Sequence, residues 1–129
     1  MTRRTYYQRM FYAAAIFNWL VAAMIIAKIV FPAQIPIASP FDPFAGQAFA
    51  LLIAVFGYGY FLVGRNPERN EAMVQVGVLG KLLIFLLFLS GALGGTLPFA
   101  LMLPACADVI FAFLFLEFLF VGRRRLSLA

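Results

Sequence analysis

Three polar residues in this sequence stand where polar residues are least welcome. Asn18, Lys81 and Asp108 each lie deep within a long apolar stretch. A lysine or aspartate at mid-membrane depth costs about 2.5–3.5 kcal/mol on insertion scales, and such residues are usually paired inside the protein. Two chemistries are open to them. A lysine and a carboxylate that meet can form a buried ion pair that fixes helix register, with Asn18 satisfying the remaining donors. The same pair could serve as a proton or ion site, binding an anion at the lysine or relaying a proton through the carboxylate. The first reading is preferred because a single pair makes a poor pathway.

Their depths favour a meeting. Counted from the arginine-flanked ends of the apolar stretches at 1.5 Å per residue, Asn18 lies about 12 Å in, Lys81 about 13 Å and Asp108 about 20 Å. Lysine's long stem covers the difference. Small residues accompany all three: Ala14, Ala15 and Ala22 share the face of Asn18, Gly77 lies one turn from Lys81 with Gly80 beside it, and Pro104, Ala105 and Ala112 share the face of Asp108. Membrane helices approach closely along small-residue faces, so the three polar groups are expected to point into one interior. Pro104 has no amide to offer the Ala100 carbonyl, which predicts a kink near Asp108 and leaves a further acceptor for Lys81.

Further residues are candidates for an interface or a second polar site. Glu117 comes nine residues after Asp108, about 180° around a helix, so it faces elsewhere: toward water and Arg124, or toward a second subunit. Tyr58 and Tyr60 lie in Phe56-Gly57-Tyr58-Gly59-Tyr60, whose glycines suit close helix packing better than a phosphate loop, and either tyrosine could reach the polar cluster or an interface. Cys106 is the single cysteine and reads as a small buried apolar group. Histidine is absent, so the usual zinc, haem, copper and iron-sulfur ligand sets are missing, and neither a metal nor a cofactor is expected.

The elements that must hold these residues are four transmembrane helices, the fold class expected here being an all-α membrane protein of one domain over residues 1–129. Of the 129 residues 65% are hydrophobic and 12% charged, too apolar for a water-soluble domain of this size. The spans are about 10–30, 46–64, 72–90 and 97–121, each near the 20 residues a helix needs to cross a bilayer. Arg3, Arg4 and Arg9 precede the first, Arg65 and Arg69 lie in the second connection, and Arg123, Arg124 and Arg125 follow the last. Positive residues stay in the cytoplasm, so both termini are expected inside, Lys28 being one snorkelling exception. The net charge of +5 is thus topological, and no nucleic-acid partner is expected. The Arg3-Arg4 start resembles a twin-arginine signal, yet the apolar run after it is long enough to span, and it reads as an uncleaved first helix.

The outer connection, residues 31–45, carries Pro32, Pro36, Pro40 and Pro43 among Ile35, Ile37, Phe41 and Phe44, which predicts an extended lid on the membrane surface. Gly91-Ala92-Leu93-Gly94-Gly95-Thr96 predicts a tight turn that makes an antiparallel hairpin of the last two helices. Phe61-Leu62-Val63-Gly64-Arg65 and Leu119-Phe120-Val121-Gly122-Arg123 echo one another faintly, as a duplicated helix pair would.

From Phe56 to Leu82 the order aromatic-Gly-Tyr-Gly-Tyr, Arg65-Asn66-Pro67-Glu68-Arg69 and Gly77-Val78-Leu79-Gly80-Lys81 resembles uncharacterised small bacterial four-helix membrane proteins, distantly similar to DoxX-like proteins. That resemblance covers about a fifth of the chain and implies a fold without an activity. The early membrane-embedded glutamate of small multidrug exporters is missing. The sequence therefore leads to a non-enzymatic component of the bacterial inner membrane, a bundle that packs against itself or a larger complex. The alternative is a small oligomeric transporter or channel using the Lys81/Asp108 site. A lipid-modifying enzyme is least supported, as no nucleophile, base and oxyanion arrangement is visible.

Overall fold

The computed structural model describes residues 2–35, 42–122 and 124. Among them the chain is all helical: α1 spans Arg3–Val30, α2 Pro43–Arg65, α3 Glu71–Leu93 and α4 Met102–Glu117. A 3-10 turn, Phe99–Leu101, leads into α4, and a π-helical turn, Phe118–Gly122, ends it. All four helices are long and apolar enough to cross a membrane, the last counted with its flanking turns.

Local chemistry sets the ends. Thr2 caps α1 by accepting from the Thr5 amide at 3.2 Å. Asp42 caps α2, accepting from the amides of Phe44 and Ala45 at 3.0 and 3.1 Å, and Pro43 takes the first helical position, where no amide is needed. The outer connection is therefore shorter than the sequence suggests. Pro36, Ile37, Pro40 and Phe41, which carried the expected lid, lie outside the described residues, as do Arg123 and Arg125. Lys28 is more than a snorkelling exception: its ammonium donates to the Pro32 carbonyl at 2.8 Å and to that of Ile35, tying the connection to the end of α1. At the other end Asn70 donates to the Leu62 and Asn66 carbonyls at 3.2 and 2.9 Å, closing α2. Gly95 turns the chain between α3 and α4 with φ of 74°, a conformation that favours glycine, and the Thr96 and Leu97 amides both reach the Gly91 carbonyl.

The helices pack as two antiparallel hairpins, α1 on α2 and α3 on α4. The α1–α2 seam is close because glycines admit rings: a Cβ at Gly57 would stand 2.7 Å from the Trp19 indole nitrogen, and one at Gly64 2.6 Å from the Tyr12 ring. Between the hairpins lies a core of Tyr7, Met10, Phe11, Tyr60, Val63, Val74, Val78, Phe115 and Phe118. It occupies the arginine-rich end, where Tyr7 near the start of α1 meets Glu117 near the end of α4.

The local distortion expected near Pro104 falls just ahead of it. The fourth span opens as a 3-10 turn, Phe99–Leu101, and becomes α-helical only at Met102. Pro104 thus sits in the first turn of α4, where its missing amide costs no intrahelical bond.

Candidate functional site

The expected polar cluster is assembled, and one lysine lies at its centre. Lys81, one turn beyond Gly77 on the inner face of α3, has a side chain only 5% exposed. Its ammonium donates to Asp108 Oδ1 on α4 and to Asn18 Oδ1 on α1, the latter at 3.3 Å. Asn18 in turn donates through Nδ2 to the Ile53 carbonyl of α2 at 3.2 Å, which orients its oxygen toward the lysine. One connected network thus touches all four helices. The Ala100 carbonyl is not among these partners, since it belongs to the 3-10 turn that precedes α4.

Three rings complete the enclosure. Lys81 Nζ lies 5.6 Å from the centroid of Phe17, 5.2 Å from Tyr60 and 5.4 Å from Phe111. Each ring face offers negative quadrupole to the ammonium, and such contacts are worth about 2 kcal/mol or more where water is excluded. Sequence reasoning missed Phe17 and Phe111 in this role. Position was the available signal, since Phe17 adjoins Asn18 and Phe111 lies three residues after Asp108, on the same helix face. The arrangement is an ion pair with its cation sheathed by aromatic rings, chemically suited to holding charge in an apolar interior.

The tyrosines divide. Tyr60 is buried, with its ring against Lys81 and in the notch left by Gly77, where a Cβ would stand 2.7 Å from its Cε1. Tyr58 faces outward, 56% exposed and stacked on Phe61, so it does not reach the cluster; two residues along a helix are about 200° apart.

Glu117 does point away from the cluster, but its described partner is one that the sequence reading did not name. Glu117 Oε1 accepts from the Tyr7 hydroxyl at 2.7 Å. The Tyr7 ring fits the notch at Gly122, a Cβ there lying 2.5 Å from it, and edges onto Phe118 at 5.1 Å. The π-helical turn begins directly after Glu117, a widening that no sequence signal announced.

Cys106 is also corrected. It is exposed rather than buried, on the outward face of α4 with Leu103 and Ile110. The buried positions are Ala105, Ala112 and Phe115, and a residue just after an inward one is carried about 100° around the helix.

The fold and its polar network define a bundle of four helices, each long and apolar enough to cross a membrane. In comparison with known proteins the chain matches no family model, no curated protein and no solved structure.

Proposed function

We propose that this chain is a non-enzymatic, multi-pass component of a bacterial inner membrane, with both termini in the cytoplasm, that acts by packing against copies of itself or a larger membrane complex. The observation that carries the reading is how fully Lys81 is used inside its own bundle: Asp108, Asn18 and three rings surround the ammonium. A cation so occupied stabilises a shape and offers little to a substrate. The outward surfaces fit the same reading, since large side chains such as Leu20, Leu52, Leu83, Leu87 and Phe113 stand exposed on all four helices, ready for lipid or a neighbouring helix. Orientation is supported by the arginines, and the choice of membrane by the resemblance to small bacterial four-helix proteins.

The test is the size of the assembly. Purified in mild detergent or native nanodiscs at endogenous levels, the protein is expected to run as a homo-oligomer or in a defined complex. A lone monomer with no associated protein overturns the proposal.

Transport through a midplane Lys81/Asp108 site is the second reading. It is favoured by the 19% exposure of the Asp108 side chain beside a nearly buried lysine. Ion or proton flux in proteoliposomes that is lost in Lys81→Ala and Asp108→Ala supports it, whereas flux that survives both substitutions removes those residues as the site.

A further inference from the structure

The packing between the two hairpins is uneven along their length. At the arginine-rich end the fully buried large side chains include Phe11, Tyr60, Val63, Val74, Phe115 and Phe118. Ring pairs cross from one hairpin to the other here: Tyr7 with Phe118 at 5.1 Å, Phe11 with Phe115 at 4.9 Å and with Phe118 at 5.2 Å, and Tyr60 with Phe115 at 5.0 Å. A fifth, Phe17 with Phe111 at 5.6 Å, lies at the level of Lys81. The Tyr7–Glu117 hydrogen bond also joins the hairpins at this end.

Beyond Lys81 the picture changes. The buried residues there, Ala22, Gly46, Ala50, Ala92 and Ala105, are small. Among the described residues the ring pair that bridges the hairpins outward of the lysine is Phe49 with Phe88, at 6.4 Å, and both are half-buried.

These differences decide which half holds. Lipid is as apolar as the side chains, so helices in a bilayer associate through packing and hydrogen bonds rather than through removal from water. An aromatic pair contributes about 0.5–1.5 kcal/mol, and among the described residues five pairs that bridge the hairpins at or inward of Lys81 stand against one bridging pair outward of it. The polar network is divided in the same sense: Lys81–Asp108 lies within the α3–α4 hairpin, Asn18–Ile53 within the α1–α2 hairpin, and the Lys81–Asn18 bond at 3.3 Å spans the two.

We infer that the hairpins are hinged at the Lys81–Asn18 contact: the arginine-rich half is a fixed clamp, and the opposite halves separate as two rigid hairpins, uncovering Asp108 toward the arginine-free side. Asp108 is the more exposed member of the pair and lies on the loosely packed side of the lysine, so separation reaches it first. The motion is a rigid-body rotation of two packed units about a small contact. It goes beyond the packing role proposed above and does not depend on it, because it is a property of the single bundle.

Distances between spin-label pairs test it, in the full chain reconstituted as single copies in lipid nanodiscs with Cys106→Ser as background. Every labelled position is exposed, so each variant should fold. The pair Phe44→Cys and Leu93→Cys spans the hairpins at the arginine-free end. Arg3→Cys and Phe120→Cys span them at the other end, and Leu93→Cys with Leu103→Cys stays within one hairpin at the arginine-free end. The first pair is expected to show a distribution at least about twice as wide as the other two, or two resolved peaks. Three equally narrow distributions overturn the hinge. So does equal breadth in all three, since that is general looseness rather than rotation about a clamp.

Discussion

Removing either partner of the Lys81–Asp108 pair should do more harm than removing both. In Asp108→Leu the ammonium stays at a site only 5% exposed, keeping the Asn18 oxygen and three rings but losing its counter-charge. Stranding a buried charge costs about 3–5 kcal/mol, and this deeply enclosed lysine belongs at the upper end, about 4–5 kcal/mol. In Lys81→Met the carboxylate is left behind, but its 19% exposure gives it partial relief, which places the loss near the lower end, about 3 kcal/mol. The double variant removes both charges and leaves the Asn18 oxygen without the lysine, so a loss of about 1–2 kcal/mol is expected. The sum of the single losses would be about 7–8 kcal/mol, so coupling should exceed the roughly 0.5–3 kcal/mol usual for residues in contact. The assay is reversible unfolding in mixed micelles followed by far-ultraviolet circular dichroism, with folded yield as a second readout. A double variant that loses the sum of the two singles refutes the pairing argument, and Lys81→Met costing more than Asp108→Leu refutes the burial argument.

Three further outcomes follow from named contacts. Gly77→Ala should cost about 1–3 kcal/mol, because its Cβ would stand 2.7 Å from the Tyr60 ring, whereas Gly80→Ala, with Phe56 at 3.7 Å, should be nearly neutral in the same unfolding assay; equal effects would contradict the notch. Tyr7→Phe removes the donor to Glu117 but keeps the ring in the Gly122 notch, so a loss of about 1 kcal/mol is expected and a neutral result would show that the hydrogen bond contributes nothing. With Cys106 replaced, Asp42→Cys should react with an impermeant thiol reagent from outside the cell and Asn66→Cys only after permeabilisation; the opposite pattern would invert the proposed topology.

How much of this was legible depended on what the helices lack. They are apolar on every side, so amphipathic periodicity says almost nothing about which face is inner. The informative residues were the exceptions: Asn18, Lys81 and Asp108 converge because each is costly elsewhere, and Ala14, Ala15, Gly77, Ala105 and Ala112 are buried beside them because small side chains let the backbones approach. Where no exception existed, the reading failed. Cys106 looked buried because its surroundings were apolar, but so were Leu103, Ile110 and Phe113 on the outer surface of α4. Phe17 and Phe111 were hidden among 16 phenylalanines. The π-helical turn could not be read, because Phe118–Gly122 has a composition that any turn of an apolar helix can carry.

The echo between Phe61–Arg65 and Leu119–Arg123 takes on a physical meaning without any duplication. Its two glycines do the same work: Gly64 receives the ring of Tyr12 and Gly122 receives the ring of Tyr7, both from α1. Tyr7 and Tyr12 are five residues apart, about 140° around the helix, so they point to different neighbours. α1 therefore lies against both α2 and the end of α4 at the arginine-rich end, with one ring set into each. Any helix that must take a tyrosine this closely needs a glycine at that level, and helices ending on the same side are followed by arginine for topological reasons. Two helices meeting one partner are enough to produce the likeness. It also bears on why this end holds fast: rings seated against backbone cannot slide without losing contact along a whole face.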